Sequence, residues 1–181
     1  MADEDGLIRV RVRLMQIISG SLVLGAMVFL AIVVMIAANQ AAPPPPAWPG
    51  GQPLMTYVAI TILVVQVAMV MTLPPARIRS AVRQMATEGS PPQPGAQETE
   101  VAKLLSLRQT TMILALAPLE GSACFGCIAY LLEQRVEALI VAAVAIVLML
   151  LYFPTEGAVR SWLERQTEAL SQARMETSDR I

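Results

Sequence analysis

The stretch from Leu114 to Tyr130 is largely apolar and contains one acidic residue, Glu120. A carboxyl group in such surroundings can bind a proton or a cation, or it can accept hydrogen bonds from a neighbouring helix. Pro118 removes a backbone hydrogen bond close to this carboxyl group and favours a kink. At 1.5 Å per residue, Glu120 lies about 18 Å from Arg108 and about 20 Å from Glu133 along a helix. The pattern predicts an ionisable group near the middle of a membrane span.

Polar groups that could meet Glu120 occur in two other apolar stretches. Gln66 lies in the second stretch, and Ser19 and Ser21 lie at comparable depth in the first. We therefore expect Ser21, Gln66 and Glu120 to face one another as an ion-binding site or an interhelical polar cluster. Small residues beside them would let helix backbones approach closely. These are Gly25, Gly121, Ser122 and Gly126.

The sequence contains no histidine, and its two cysteines form the C-x-x-C pair Cys124 and Cys127. In a soluble protein this spacing indicates redox chemistry or half of a zinc site. Inside an apolar stretch we interpret both thiols as small, buried side chains. The sequence shows no Ser–His or Cys–His pair and no phosphate-binding loop. We therefore predict no catalytic residue, no metal site and no cofactor, so the protein is not expected to be an enzyme.

The elements that would position these residues are long apolar runs. Hydrophobic residues make up 55% of the 181 residues, and charged residues only 15%. A membrane-spanning helix needs about 20 predominantly apolar residues. Four runs approach or exceed this length: Leu14–Ala38, Leu54–Leu73, Thr111–Leu132 and the shorter Ala138–Phe153. We expect an all-α membrane protein with four transmembrane helices in two hairpins. The first run is longer than the apolar core of a signal peptide, which predicts a retained span.

Basic residues are distributed unevenly between the segments. Of the 13 Lys and Arg residues, only Arg135 lies in a loop predicted to be on the outer side. Because Lys and Arg collect in cytoplasmic segments, we expect a multi-pass protein of the plasma (inner) membrane with cytoplasmic N- and C-termini. The net charge of −1 gives no general attraction to nucleic acid.

These observations divide the chain into five segments. They are a cytoplasmic N-terminal tail (1–13), a first transmembrane hairpin with a Pro-rich outer loop (14–75), cytoplasmic amphipathic segments with a Pro-rich tether (76–110), a second transmembrane hairpin (111–153) and a cytoplasmic amphipathic tail (154–181).

Three cytoplasmic stretches carry apolar residues on one helical face. They contain Ile78, Val82 and Met85; Val101, Leu104 and Leu105; and Val159, Trp162, Leu163 and Leu170. Such faces can lie flat on the membrane interface. In the central segment, the stretches can equally continue the neighbouring membrane helices.

The two halves of the chain also resemble each other. When Ile17 is aligned with Ile113, Gly25 meets Gly121 and Glu120 corresponds to Leu24. The similarity predicts an internal duplication in which only the second half has the carboxyl group. A duplication that keeps its orientation is related by an axis along the membrane normal.

The third apolar run resembles the carboxylate-bearing helix of the proteolipid c subunit of rotary ATP synthases over about 20 residues. The matching residues are Ile113, Leu114, Ala117, Glu120 and Phe125. A four-span chain with one remaining acid is also similar to the vacuolar-type proteolipids. The resemblance implies a membrane ring in which Glu120 binds a proton or a sodium ion. The second run contains no glycine, whereas the first helix of that family is glycine-rich.

Two functions follow from this reading. The first is a small integral membrane protein that acts by helix–helix association, as a non-catalytic subunit or an assembly component. Its expected partners are the lipid bilayer and further copies of the chain or other membrane subunits. The alternative is a proton- or ion-translocating component in which Glu120 binds the ion.

Overall fold

The computed structural model describes residues 2–39, 53–87 and 96–178. Within these ranges the regular structure is entirely helical. The five helices are α1 (Ala2–Ala38), α2 (Leu54–Thr87), α3 (Ala96–Glu133), α4 (Val136–Leu151) and α5 (Glu156–Ser178). The predicted all-α class is confirmed. The Pro-rich outer loop falls at 40–52 and most of the Pro-rich tether at 88–95, outside the described residues.

Three helical segments are long and apolar enough to cross a membrane: Ile8–Ala38, Leu54–Thr72 and Val101–Glu133. The number rises to four if α4 and α5, which are separated by a short break, form one broken span. Helix α4 has 16 residues, about 24 Å at 1.5 Å per residue. This is less than the hydrocarbon thickness of about 30 Å, so the fourth predicted span is the shortest. The apolar helices indicate a membrane protein.

The helices extend beyond their apolar runs. Helix α2 continues to Thr87 and α3 begins at Ala96, so both central amphipathic stretches are continuous with membrane helices.

The tail forms a separate helix, α5, after a break that contains Pro154. The backbone carbonyl of Pro154 accepts a hydrogen bond of 3.1 Å from Nε2 of Gln16, and Val159 N bonds to Thr155 O in the first turn.

One compact unit comprises Met1–Ile17, Met71–Met112 and Pro154–Ile181. Its core draws on the apolar faces of α1, α3 and α5, with Ile78 of α2 packed against it. The buried members are Ile8, Val12, Leu104, Leu105, Val159, Trp162 and Leu163. These faces therefore pack against one another, and the expectation that they lie flat on a membrane interface is wrong for the residues in this core. Side-chain burial at each such position stabilises the unit by about 2 kcal/mol.

The second compact unit comprises Ile18–Val70 and Ile113–Phe153. One core cluster joins α2, α3 and α4 through Ala59, Ala129, Ala138 and Val141. Another joins α1, α3 and α4 through Val33, Cys127 and Ala142. Because α3 and α4 contribute to both clusters, they form the centre of this unit. Small side chains dominate the two clusters, as expected where helix backbones pack closely in a membrane.

A tight turn joins α3 to α4. Gln134 has a positive φ of 52°, and its amide donates to Tyr130 O at 2.8 Å. A single left-handed residue commonly ends a helix in this way. Only Gln134 and Arg135 separate the two helices, so α4 returns directly alongside α3.

The outward faces of the second unit are apolar. Large hydrophobic side chains are more than half exposed on α1, α2 and α4, including Leu24, Val64, Val147 and Leu151. Soluble monomers rarely expose extended apolar patches. The burial pattern therefore agrees with a lipid environment around this unit.

Candidate intramembrane carboxylate site

Glu120 lies at the edge of the packed face of α3. Its neighbours Leu119 and Ala123 are each 1% exposed. Gly121 is exposed, and the exposure of Glu120 lies between that of Gly121 and that of the buried neighbours. The helix thus holds the carboxyl group where the core of the second unit meets its apolar outer surface.

Helix α1 lies beside this carboxyl group. A Cβ atom added to Gly25 would lie 3.6 Å from Oε1 of Glu120. That distance is an ordinary van der Waals contact, so the carboxylate lies close to α1 at Gly25. A residue with a Cβ atom would also fit there, and glycine is not sterically required at this position. Within the described part of the chain, Glu120 has neither a hydrogen bond nor an ion pair.

Ser21 and Glu120 share no hydrogen bond among the described residues. The side chain of Ser21 is exposed, and its hydroxyl donates to the carbonyl of Ile18 in the same helix at 2.8 Å. A helical serine can satisfy itself in this way, since its hydroxyl reaches the carbonyl one turn earlier. Ser19, by contrast, is completely buried.

Gln66 and Ser122 provide two buried polar atoms at a similar depth. Among the described residues, Oε1 of Gln66 and Oγ of Ser122 are buried and have no hydrogen-bond partner. A bond between Thr56 and Glu133 fixes the antiparallel register of α2 and α3. Ten residues further along each helix, about 15 Å away, this register brings position 66 level with position 123. By this register, Gln66 and Ser122 lie at a similar level along the two helices, within one helical turn of the level of Glu120.

Ser122 and Glu120 point in different directions from α3, because residues two apart do not share a helix face. Ser122 is 1% exposed, whereas Glu120 lies at the edge of the core. Ser122 thus lies in the interior of the unit, whereas Gln66 and Glu120 are each partly buried.

The small residues of α3 have different surroundings. A Cβ atom at Gly126 would lie 2.9 Å from Ala138 O and 3.0 Å from Ala142 N, whereas one at Gly121 would meet nothing within 4 Å. Gly126 therefore permits the close approach of α4, and Gly121 opens to the outside. Pro118 is partly buried, and α3 continues through it as one helix.

Glu133 is a second ordered carboxylate, which the sequence analysis did not single out. It accepts hydrogen bonds from Met55 N at 2.7 Å, Thr56 N at 2.9 Å and the hydroxyl of Thr56 at 2.6 Å. The first amides of a helix lack partners within it, and Pro53 offers no side-chain acceptor. Glu133 therefore caps α2 from the end of α3. Its position directly after the third apolar run, on the side where the second run begins, is the sequence signal for this contact.

Other groups in this unit offer less chemistry. Cys124 and Cys127 are free thiols, and Cys127 is buried. Among residues 2–39, 53–87 and 96–178, no group of three or more His, Cys, Asp or Glu side chains could hold a metal ion. An apolar groove of about 620 Å³ between α1 and α4 has no titratable side chain in its wall; it is lined by Met27, Leu30, Ala31, Val34, Met35, Ala38, Ala143, Ile146 and Val147.

Comparisons with protein-family models, curated proteins and solved structures find no match to this chain.

The geometry limits what the site can do chemically. A carboxyl group with one open side can exchange a proton, bind a small cation or accept a hydrogen bond from another helix. Proton exchange needs water at the outer edge of α3 beside Glu120, cation binding needs an ion there, and a hydrogen bond needs a donor from another helix.

Proposed function

We propose that this protein is a small multi-pass protein of the plasma (inner) membrane that acts by helix–helix association, as a non-catalytic subunit or an assembly component. In this proposal, four spans form two hairpins related by duplication, and both termini are cytoplasmic. The nearly one-sided distribution of Lys and Arg supports the orientation.

The observation that carries the proposal is the absence of a partner for Glu120 within the described residues, although its helix is apolar enough to span a membrane. A charged side chain at the centre of a bilayer costs about 3 kcal/mol on insertion scales. Burial of even a neutral carboxyl group is unfavourable when the group forms no hydrogen bonds. A polar group on a helix outside the chain would remove this cost, and association would follow.

The surface beside Glu120 suits a close helix contact. Ala117 and Gly121 are one turn apart and both exposed, which gives a small-x-x-x-small pair. Larger apolar side chains extend the same face towards both ends of the helix: Leu114, Ile128 and Leu132 are each 44–47% exposed. A partner helix could therefore approach the α3 backbone closely at the level of Glu120.

A second candidate is proton or ion translocation, in which Glu120 binds the ion. The partial exposure and missing hydrogen bonds of its carboxyl group favour this function, and so does the resemblance to proteolipid c subunits. In this case the further copies of the chain would form a ring, and the ion would enter from the exposed edge of α3.

Substitutions at Glu120 separate these candidates. Association predicts that Glu120→Gln keeps the size of the complex in detergent, because the amide still forms hydrogen bonds, whereas Glu120→Leu dissociates it. Glu137→Gln makes the same change at an exposed carboxylate of α4 and should leave the size unaltered. Light scattering after size-exclusion chromatography measures the outcome. An undiminished complex in Glu120→Leu would count against association through this residue.

Ion handling makes a different prediction. A hydrophobic carbodiimide should modify Glu120 in a pH-dependent manner, and a bound cation should protect it. Mass spectrometry of the modified peptide identifies the site, with Glu120→Gln as the unreactive reference. A folded preparation that shows no modification at any pH would exclude ion handling by this carboxyl group.

A further inference from the structure

Two arginines of the first unit form no ion pair with any carboxylate among the described residues. Arg108 of α3 is partly buried, and its guanidinium carbon lies 4.9 Å from the centre of the Trp162 ring. Arg165 lies three residues after Trp162 in α5 and so shares a helix face with the ring that Arg108 contacts, and its positive charge acts on Arg108. Neither arginine forms an ion pair with a described carboxylate, whereas Arg160 of α5 binds Glu156 at 3.2 Å. The fold thus places two like charges near Trp162, and among the described residues no carboxylate forms an ion pair with either of them.

This arrangement is unfavourable for Arg108, which is partly buried, more than for the exposed Arg165. Burial and a neighbouring like charge both disfavour the charged form of a basic group, yet an arginine stays protonated under all ordinary conditions. The ring face of Trp162 stabilises one cation but supplies no hydrogen-bond acceptor for the guanidinium N–H groups. An anion bound between Arg108 and Arg165 would neutralise both charges and accept those hydrogen bonds.

The position along α3 indicates which anion is available. Arg108 lies three residues, or about 4.5 Å, before the apolar run that begins at Thr111. This is the depth of the headgroup layer if the run spans the bilayer. Trp162 is 6% exposed, and tryptophan is enriched at the same depth. Guanidinium groups match phosphate oxygens with two parallel hydrogen bonds, and basic sites on the cytoplasmic side of membrane helices bind anionic headgroups.

We propose that Arg108 and Arg165, together with Trp162, form a binding site for the phosphate of an anionic phospholipid. The site holds one lipid where α3 leaves the membrane and joins α5 to it through the shared headgroup. It depends on membrane insertion of α3 but not on Glu120, so the site and the proposed function can fail independently.

Native mass spectrometry of the full chain tests the site, after purification with a mixture of phosphatidylglycerol and phosphatidylcholine. The wild type should retain phosphatidylglycerol in preference to phosphatidylcholine. The double variant Arg108→Gln/Arg165→Gln should lower retention of phosphatidylglycerol by about tenfold or more. The matched control Arg13→Gln/Lys103→Gln removes two exposed charges of the same unit and should retain the lipid nearly as well as the wild type.

Several outcomes would overturn the proposal. Equal losses in the two double variants would show general attraction to surface charge, and equal retention of both lipids would show no headgroup site. Binding of inorganic phosphate to the lipid-free wild type, without preference for phosphatidylglycerol, would assign the site to a soluble phosphate. If the double variant loses helicity, the single variant Arg165→Gln at an exposed position gives the same test, with an expected loss of about threefold or more.

Discussion

At the residue scale, two glutamates of α3 differ in how their carboxyl groups are satisfied. Glu133 accepts three hydrogen bonds from the start of α2, whereas Glu120 accepts none from the described residues. Amide donors at a helix N-terminus favour a negative charge. Structure within the chain therefore explains Glu133, whereas no described residue forms a hydrogen bond with Glu120.

Replacing Glu133 by alanine should lower the free energy of unfolding by about 2 kcal/mol, because the amides of Met55 and Thr56 lose their acceptor. Thr56→Val retains the amide contacts and should cost about 1 kcal/mol. Thermal unfolding in detergent, followed by circular dichroism, measures both changes.

The control for this cap is Glu137→Ala, at an exposed position in the first turn of α4. It should change the free energy of unfolding by less than about 1 kcal/mol. If Glu133→Ala were as stable as this control, the hydrogen bonds to α2 would contribute nothing to the fold.

At the element scale, Gly126 permits the close contact of α3 with α4. The backbone of α4 lies where a side chain at Gly126 would be placed, and the surroundings of Gly121 are open. The two glycines lie in the same helix, so their replacement by alanine has the same effect on helix propensity. The difference in stability between the two alanine variants therefore measures the steric effect of the added methyl group.

Gly126→Ala should lower the free energy of unfolding by about 1–3 kcal/mol, because α3 and α4 must move apart. Gly121→Ala should leave it unchanged or slightly raised. Thermal unfolding in the same detergent gives the difference, and equal stability of the two variants would contradict the close packing of these helices.

Sequence periodicity predicted the apolar faces of the helices but not what they contact. The faces at Leu104, Leu105 and Trp162 were identified correctly, yet their mutual packing depends on segments far apart in the chain. The contact of Glu133 with Thr56 spans 77 residues and had no local signal beyond its position at the end of a span. The sequence singled out Glu120 because an acidic residue within an apolar run is energetically costly. The side chains around Glu120 depend on how the helices pack, which the sequence alone does not give.

At the scale of the whole molecule, the proposed orientation can be measured with single cysteines in a background lacking Cys124 and Cys127. Arg135→Cys and Ser171→Cys are both at exposed positions. In intact bacterial cells, a membrane-impermeant maleimide should label Arg135→Cys, whereas Ser171→Cys should react only after permeabilisation. The distribution of Lys and Arg is the physical reason. The reverse pattern, or labelling of both from outside, would refute the cytoplasmic placement of the C-terminus.

The most direct test of association is the native mass of the wild-type protein released from lipid nanodiscs. If a helix outside the chain satisfies Glu120, the mass should exceed that of one 19.5 kDa chain, either as a multiple of it or with a second membrane protein. A ring of many copies would favour the ion-handling candidate. A single chain of 19.5 kDa, stable and folded under these conditions, would contradict the claim that Glu120 has its partner outside the molecule.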